Sequence, residues 1–290
     1  MSADQIGEAR DTYAALRLPN FRRYILALFT LTLGIQIQGT VVGWQIYDLT
    51  KDPLALGLVG LAEALPAISM SLFAGHVADT YDRRRIALAA LSVLVACSIA
   101  LWWLALPAPM GNTPLTASAR VQSIYAVIVV SGVARAFLQP ARQALSAELV
   151  PRTLYSNAIT WRSGSWQLAA VLGPALGGLL YAVGGITLSY AVDAVLMAFA
   201  VLVLFSVRHR SPHRERHDEP MRVAILGGLH FVFRDPLLLS ALSLDLFSVL
   251  FGGAVALLPV FASEILQAGP TGLGSVSYTH LRAHETKANL

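Results

Sequence analysis

Among the ionisable side chains that stand inside otherwise apolar stretches are Glu63, Arg135, Asp193 and Asp245. A charge in such surroundings costs about 2.5–3.5 kcal/mol or more unless it is paired or wetted, so each marks a place for ion pairing or ligand recognition. A carboxylate deprived of water can also trade an ion pair for a proton, which would let proton binding compete with binding of something else. Helical spacing sorts their neighbours. Asp245, Ser248 and Gly252 fall on one face at i, i+3, i+7, and Ser131, Arg135 and Gln139 on another at i, i+4, i+8. Thr32, Gln36, Gly39 or Thr40, and Gly43 make a third polar or small stripe. Gln36 in that stripe would either line a cavity or hydrogen-bond a neighbouring helix.

The elements that must position these groups are long greasy helices. The chain is 56% hydrophobic and 13% charged, with mean hydropathy +0.61, which is too apolar for an ordinary soluble domain. A helix needs about 20 apolar residues to cross a bilayer. Seven stretches qualify: 24–47, 55–78, 86–106, 121–140, 160–183, 186–207 and 237–261. Asp52-Pro53 closes the first, Pro107 and Pro109 close the third, and Gly184-Gly185 supplies a tight turn between the fifth and sixth. The first is longer than the roughly 7–15 residues of a cleavable signal core, so it is expected to remain as an anchor. Cys97 is the single cysteine, which leaves no intramolecular disulfide.

Positive charge sets the expected orientation. Fifteen Lys and Arg residues fall on one side of the seven spans, including Arg83, Arg84 and Arg85, and only Lys51 and Arg120 on the other. The basic side is retained in the cytoplasm, so the N-terminus is expected there. The basic pI is therefore topological, and no nucleic-acid partner is expected. On this topology Asp245 lies roughly 13 Å deep, close to the midplane. Glu63 is similarly central, Asp193 is near the outer third, and Arg135 is in the cytoplasmic third, where it could also meet Asp79.

Residues 75–85, GHVADTYDRRR, form the turn between the second and third spans. Topology alone asks for the arginines but not for Asp79. The pattern resembles the signature that members of the major facilitator superfamily carry in this loop, G-x-L-x-D-x-x-G-R-R. Gly75, Asp79, Arg83 and Arg84 match it, while Val77 and Asp82 replace its leucine and second glycine. In that family the loop latches the two halves of the transporter in the outward-facing state, so the resemblance implies a gating role. Gly173, Pro174, Gly177 and Gly178 in the fifth span resemble the family's antiporter signature, G-P-x-x-G-G. Chemically they make a bend and a small-residue face for close helix packing. The runs 16–24, 132–151, 230–236 and 258–266 are similar to the subgroup that contains enterobactin exporters and macrolide efflux proteins.

The resemblance implies an all-α, polytopic membrane helix bundle with the major facilitator fold. A complete six-helix N-terminal half would be followed by the first helix of the C-terminal half. The expected organisation is a cytoplasmic N-terminus (1–23), the six-helix half (24–207), a cytoplasmic linker (208–236), an incomplete C-terminal half (237–274) and a tail (275–290). The tail segment 276–286, VSYTHLRAHET, back-translates to one frame of a transposase adapter used for sequencing libraries, so 275–290 is expected to be adapter-derived. His280, His284 and Glu285 there, and His209, His213 and His217 in the linker, are accordingly not expected to hold a metal.

Function follows from the same resemblance. It implies a secondary transporter of the inner (plasma) membrane, exporting a siderophore, drug or other amphipathic small molecule by alternating access. Protons would be the coupling ion, without a cofactor, in a protein that is monomeric when full length. Asp245 and then Glu63 are the first candidates for the proton, with Arg135, Asp193 and Gln36 along the pathway. An importer, or a sensor of the same fold that does not transport, remains as the alternative. An enzyme is not expected, because no acid, base or metal ligands cluster at one interface.

Overall fold

Local chemistry explains where the helices start and stop. Asp52 accepts a hydrogen bond from the Leu54 amide (2.9 Å), and Pro53 occupies the first helical position after it. Lys51 turns the chain out of the preceding helix with φ 52°, and its ammonium reaches Asp48 at 2.7 Å. In the loop at 81–82, Asp82 accepts from the Arg85 amide (3.0 Å), capping a helix that opens on three arginines. A carboxylate there offsets basic residues that the positive end of the helix dipole disfavours. This answers the departure from the family pattern at that position: Asp82 takes the place of a turn glycine by capping.

A computed structural model describes residues 11–106, 116–208, 227 and 231–251. Its helices are α1 (Pro19–Thr50), α2 (Pro53–Thr80), α3 (Arg83–Ala105), α4 (Ala117–Glu148) and α7 (Pro236–Phe251), with Tyr155–Phe205 between α4 and α7. That stretch is bent at Gly185, whose φ 65° and ψ −164° suit glycine alone, giving two arms, α5 (155–184) and α6 (186–205). Among the described residues five helical stretches are long and apolar enough to cross a membrane, and the bent one supplies two crossings.

The directions of the arms follow from what they touch. α5 runs parallel to α1: Asn157 donates to the Thr12 carbonyl (2.8 Å), Gly177 meets Ile37 and Thr40, and the Tyr181 ring meets Trp44. α6 runs the other way, with Tyr190 donating to Gln45 (2.6 Å) near one end and Arg208 meeting Asn20 at the other. The chain therefore reverses at Gly185. α1 lies between the two arms, while α4 lies between α2 and α3, and α3 also packs on α6. One apolar core cluster surrounds Phe21, Leu91, Leu145 and Met197, and the other surrounds Ile37, Ile46, Leu101 and Tyr190.

The helices run beyond the apolar spans read from the sequence. α4 continues past 140 to Glu148, with Pro140 inside the helix. Neighbouring helices can re-satisfy the carbonyl that an internal proline leaves free. Likewise the fifth helix begins five residues before 160. The linker histidines, residues 252–261 of the seventh span and the tail lie outside the described residues.

Close helix contact here depends on glycine at particular places. A Cβ at Gly132 of α4 would sit 2.5 Å from the Glu63 carbonyl oxygen of α2, and backbone cannot yield as a side chain can. Gly132→Ala should therefore separate α2 from α4 and cost about 1–3 kcal/mol. Gly39→Ala, with nothing within 4 Å of the added carbon, should be neutral or stabilise by about 0.5–1 kcal/mol. Thermal unfolding of the two variants in detergent checks the contrast.

Candidate functional site

Arg135 of α4 pairs with Glu63 of α2, and its other terminal nitrogen donates to Oε1 of Gln38 on α1 at 3.1 Å. Three helices thus meet through one guanidinium. The backbone of Arg135 lies toward the arginine-rich end of α4, yet the side chain leans toward the N-terminus of its helix, as helical side chains do. That tilt carries the guanidinium back one turn, where Gly132 admits the Glu63 backbone. Arg135 therefore pairs with Glu63, not with Asp79.

Gln38 is a residue that sequence reasoning missed in favour of Gln36. The two are two residues apart, so they face nearly opposite sides of α1. Gln36 lies against Gly173 of α5, whereas Gln38 is buried toward α4. Spacing from Gly34 could have pointed to it: Gly34, Gln38 and Gln45 share the face that meets α4 and α6.

Asp193 of α6 is fully buried, with Gly34 opposite it; a Cβ there would come within 3.0 Å of Asp193 Oδ1. Neither of its oxygens has a hydrogen-bond partner among the described residues. Asp245 is exposed on α7, and no described group pairs with it. The candidates named in the sequence are thus not one cluster: Glu63 and Arg135 pair directly, Asp193 lies near enough to Arg135 to feel its charge without pairing with it, and Asp245 stands apart on α7.

At the arginine-rich end the loop arginines are spent on neighbouring helices. Arg83 is buried, reaching Glu148 of α4 at 2.5 Å and Asp79 at 3.6 Å. Arg84 donates to the Phe205 carbonyl (2.5 Å) at the end of α6, its guanidinium over the Phe205 ring. Cations at the C-termini of α4 and α6 also meet the negative ends of those dipoles. Among the described residues, nothing beyond its own helix turn comes within 4 Å of where a Cβ on Gly75 would lie. Gly173, Pro174, Gly177 and Gly178 are all buried, and Gly173 and Gly177 bring α5 onto α1.

A furrow runs beside the central pair. Its wider part, about 720 Å³, is lined by Gly60 and Glu63 of α2 and by Arg135, Gln139 and Gln143 of α4. A second hollow of about 430 Å³ shares Gln139 and Gln143 with it and continues to Arg142 of α4 and Arg162 of α5. Sequence reasoning set both of these arginines aside. It counted Arg142 with the charges of the arginine-rich side, and left Arg162 uncounted as lying within a span. The signal was present in Arg135, Gln139 and Arg142, which share a helical face at i, i+4, i+7.

Comparison with known proteins agrees with this architecture. A sequence model of the transmembrane secretion effector family matches residues 10–277. The chain is 28% identical over 223 residues to the enterobactin exporter of Shigella flexneri, covering 76% of this chain and 51% of that protein. It is 30% identical over 224 residues to the enterobactin exporter of Shigella boydii serotype 4 (strain Sb227), covering 76% and 50%. For the enterobactin exporter of Escherichia coli O1:K1 / APEC the identity is 28% over 222 residues, covering 76% and 50%. The chain spans about half the length of the curated relatives it matches.

If Glu63 and Arg135 hold α2 to α4, Glu63→Gln and Arg135→Gln should not add. A double-mutant cycle on detergent-phase unfolding should return a coupling of about 0.5–3 kcal/mol, and additive losses would remove the pair from the account.

Proposed function

Because the chain belongs to the transmembrane secretion effector family of the major facilitator superfamily, we propose that it forms part of a proton-coupled exporter. It carries amphipathic small molecules out of the cytoplasm by alternating access, and its relatives named as enterobactin exporters make a siderophore the first cargo to try. A drug of macrolide type is the second. The protein lies in the inner membrane as a monomer with a cytoplasmic N-terminus, and the loop around Asp79, Arg83 and Arg84 acts as its gate.

The observation that carries the coupling is the Glu63–Arg135 pair beside an open furrow. A coupling carboxylate has to be reachable by water in turn and has to hold something other than a proton meanwhile. Glu63 meets both conditions, with 42% of its side chain exposed and Arg135 as its alternative partner. Asp193 is sealed, and Asp245 has no described cation to release. Protonation of Glu63 would free Arg135, and cargo arriving in the furrow would compete with that proton. The close α1–α5 contact at Gly173 and Gly177 supports exchange, since it gives the rocking elements a rigid, small-residue seam.

The test is flux in inverted membrane vesicles holding the protein, with an acidic interior and enterobactin or erythromycin outside. Accumulation that collapses with the pH gradient is expected, and Glu63→Gln should abolish it while membrane insertion persists. Loss in Asp245→Asn with Glu63→Gln still active would move the proton to α7. Flux in the opposite sense would make the protein an importer, and cargo binding without flux would make it a sensor.

A further inference from the structure

The smaller hollow holds more positive charge than the bundle neutralises. Arg142 and Arg162 both line it, and each guanidinium is without a carboxylate partner among the described residues. The charges acting on Arg142 are those of Arg162 and Arg135, with the Tyr24 hydroxyl also close. Tyr24, itself buried, donates to the Arg142 carbonyl (2.8 Å), which seats this turn of α4 on α1. Both arginines are half-buried at the hollow. Arg142 lies six residues before the end of α4 and Arg162 seven after the start of α5, so both sit about 10 Å inside the arginine-rich end.

Two like charges facing one half-buried hollow are costly unless something of opposite sign arrives. A guanidinium offers a planar fork of donors suited to a carboxylate, sulfonate or phosphate oxygen pair. Beside them Trp166, 47% exposed, offers a flat apolar face, and Gln139, Gln143 and Gln167 offer neutral hydrogen-bonding groups. About 430 Å³ suits a small molecule.

We infer that the hollow between α1, α4 and α5 is an anion site whose ligand is an amphipathic organic anion, a flat ring bearing an acidic group. Arg142 and Arg162 clasp the acid and Trp166 covers the ring. As the cargo site of an exporter it rests on the reading given above; as an anion site it stands on the two arginines alone. An anionic lipid headgroup offers the same oxygen chemistry at a similar depth and is the other source of such a ligand.

The experiment is equilibrium binding of 2-naphthoate and its neutral isostere 2-naphthamide to the full chain in phosphatidylcholine nanodiscs. The carboxylate should bind about tenfold more tightly than the amide. Arg142→Gln and Arg162→Gln should each bring the carboxylate close to the amide, leaving amide binding unchanged. Arg142→Lys should keep part of the preference, and it covers the case in which the glutamine variant does not fold. Arg120→Gln, at the opposite end of α4, should change nothing. Equal binding of the two probes to the unaltered protein would overturn the site, as would a carboxylate preference that survives the Arg142→Gln/Arg162→Gln double variant. Nanodiscs containing phosphatidylglycerol separate the sources. Unchanged naphthoate binding supports a soluble anion, whereas suppression that requires both arginines assigns the site to lipid and overturns the cargo assignment. Absence of flux with naphthoate binding intact would sink the export reading and leave the site standing.

Discussion

An arginine inside a membrane-spanning helix has to be neutralised by a neighbour, and Glu63 does this for Arg135. Much of the arrangement of α1, α2 and α4 answers to that requirement. Gly132 removes the Cβ that would keep α2 away, and Gln38 on α1 takes the remaining fork of the guanidinium. The pair is held by three helices and opens on a furrow, so it is both a fastening and a group that a proton or ligand could reach.

The arginine-rich end solves the same problem differently. Arg83 and Arg84 finish on Glu148 and on the carbonyl end of α6, so the short loop between α2 and α3 is tied to the far ends of two other helices. Positive charge retained for topology thus also closes helix termini, and Asp82 caps the helix those arginines begin. Arg142 and Arg162 break this pattern, since the described residues provide them with no acid. α2 breaks another: Leu54, Leu58, Leu61, Leu65, Ile68 and Leu72 recur every three or four residues along an exposed stripe. That face is suited to lipid or to another helix.

The legible parts of the chain were those governed by neighbours in sequence. Apolar length marked the helices, Asp52-Pro53 marked a restart, and Gly184-Gly185 marked the reversal that Gly185 makes with its positive φ. The antiporter-like glycines were legible as a packing face, although not which helix they would meet. The apolar span stops at 140, whereas the helix carries on, since proline inside it is tolerated when surrounding helices compensate. Arg142, beyond that span, reads from sequence only as one of the charges of the arginine-rich side. Gln36 and Gln38 could not be told apart by role, because polar stripes on a helix look alike from sequence, whichever side faces the neighbour.

Sequence by itself determined that this is a bundle of apolar helices, where most of their turns fall, and which family it resembles. Those properties depend on hydrophobic length, capping residues and turn glycines, all acting over a few positions. Only the tertiary structure decided that Arg135 meets Glu63 and Gln38, that Asp193 is sealed against Gly34, and that Arg142 and Arg162 share one hollow. Each of those outcomes turns on the rotation of one helix against another. A single residue of helical register moves a side chain by about 100°, and no local rule in the chain records that angle.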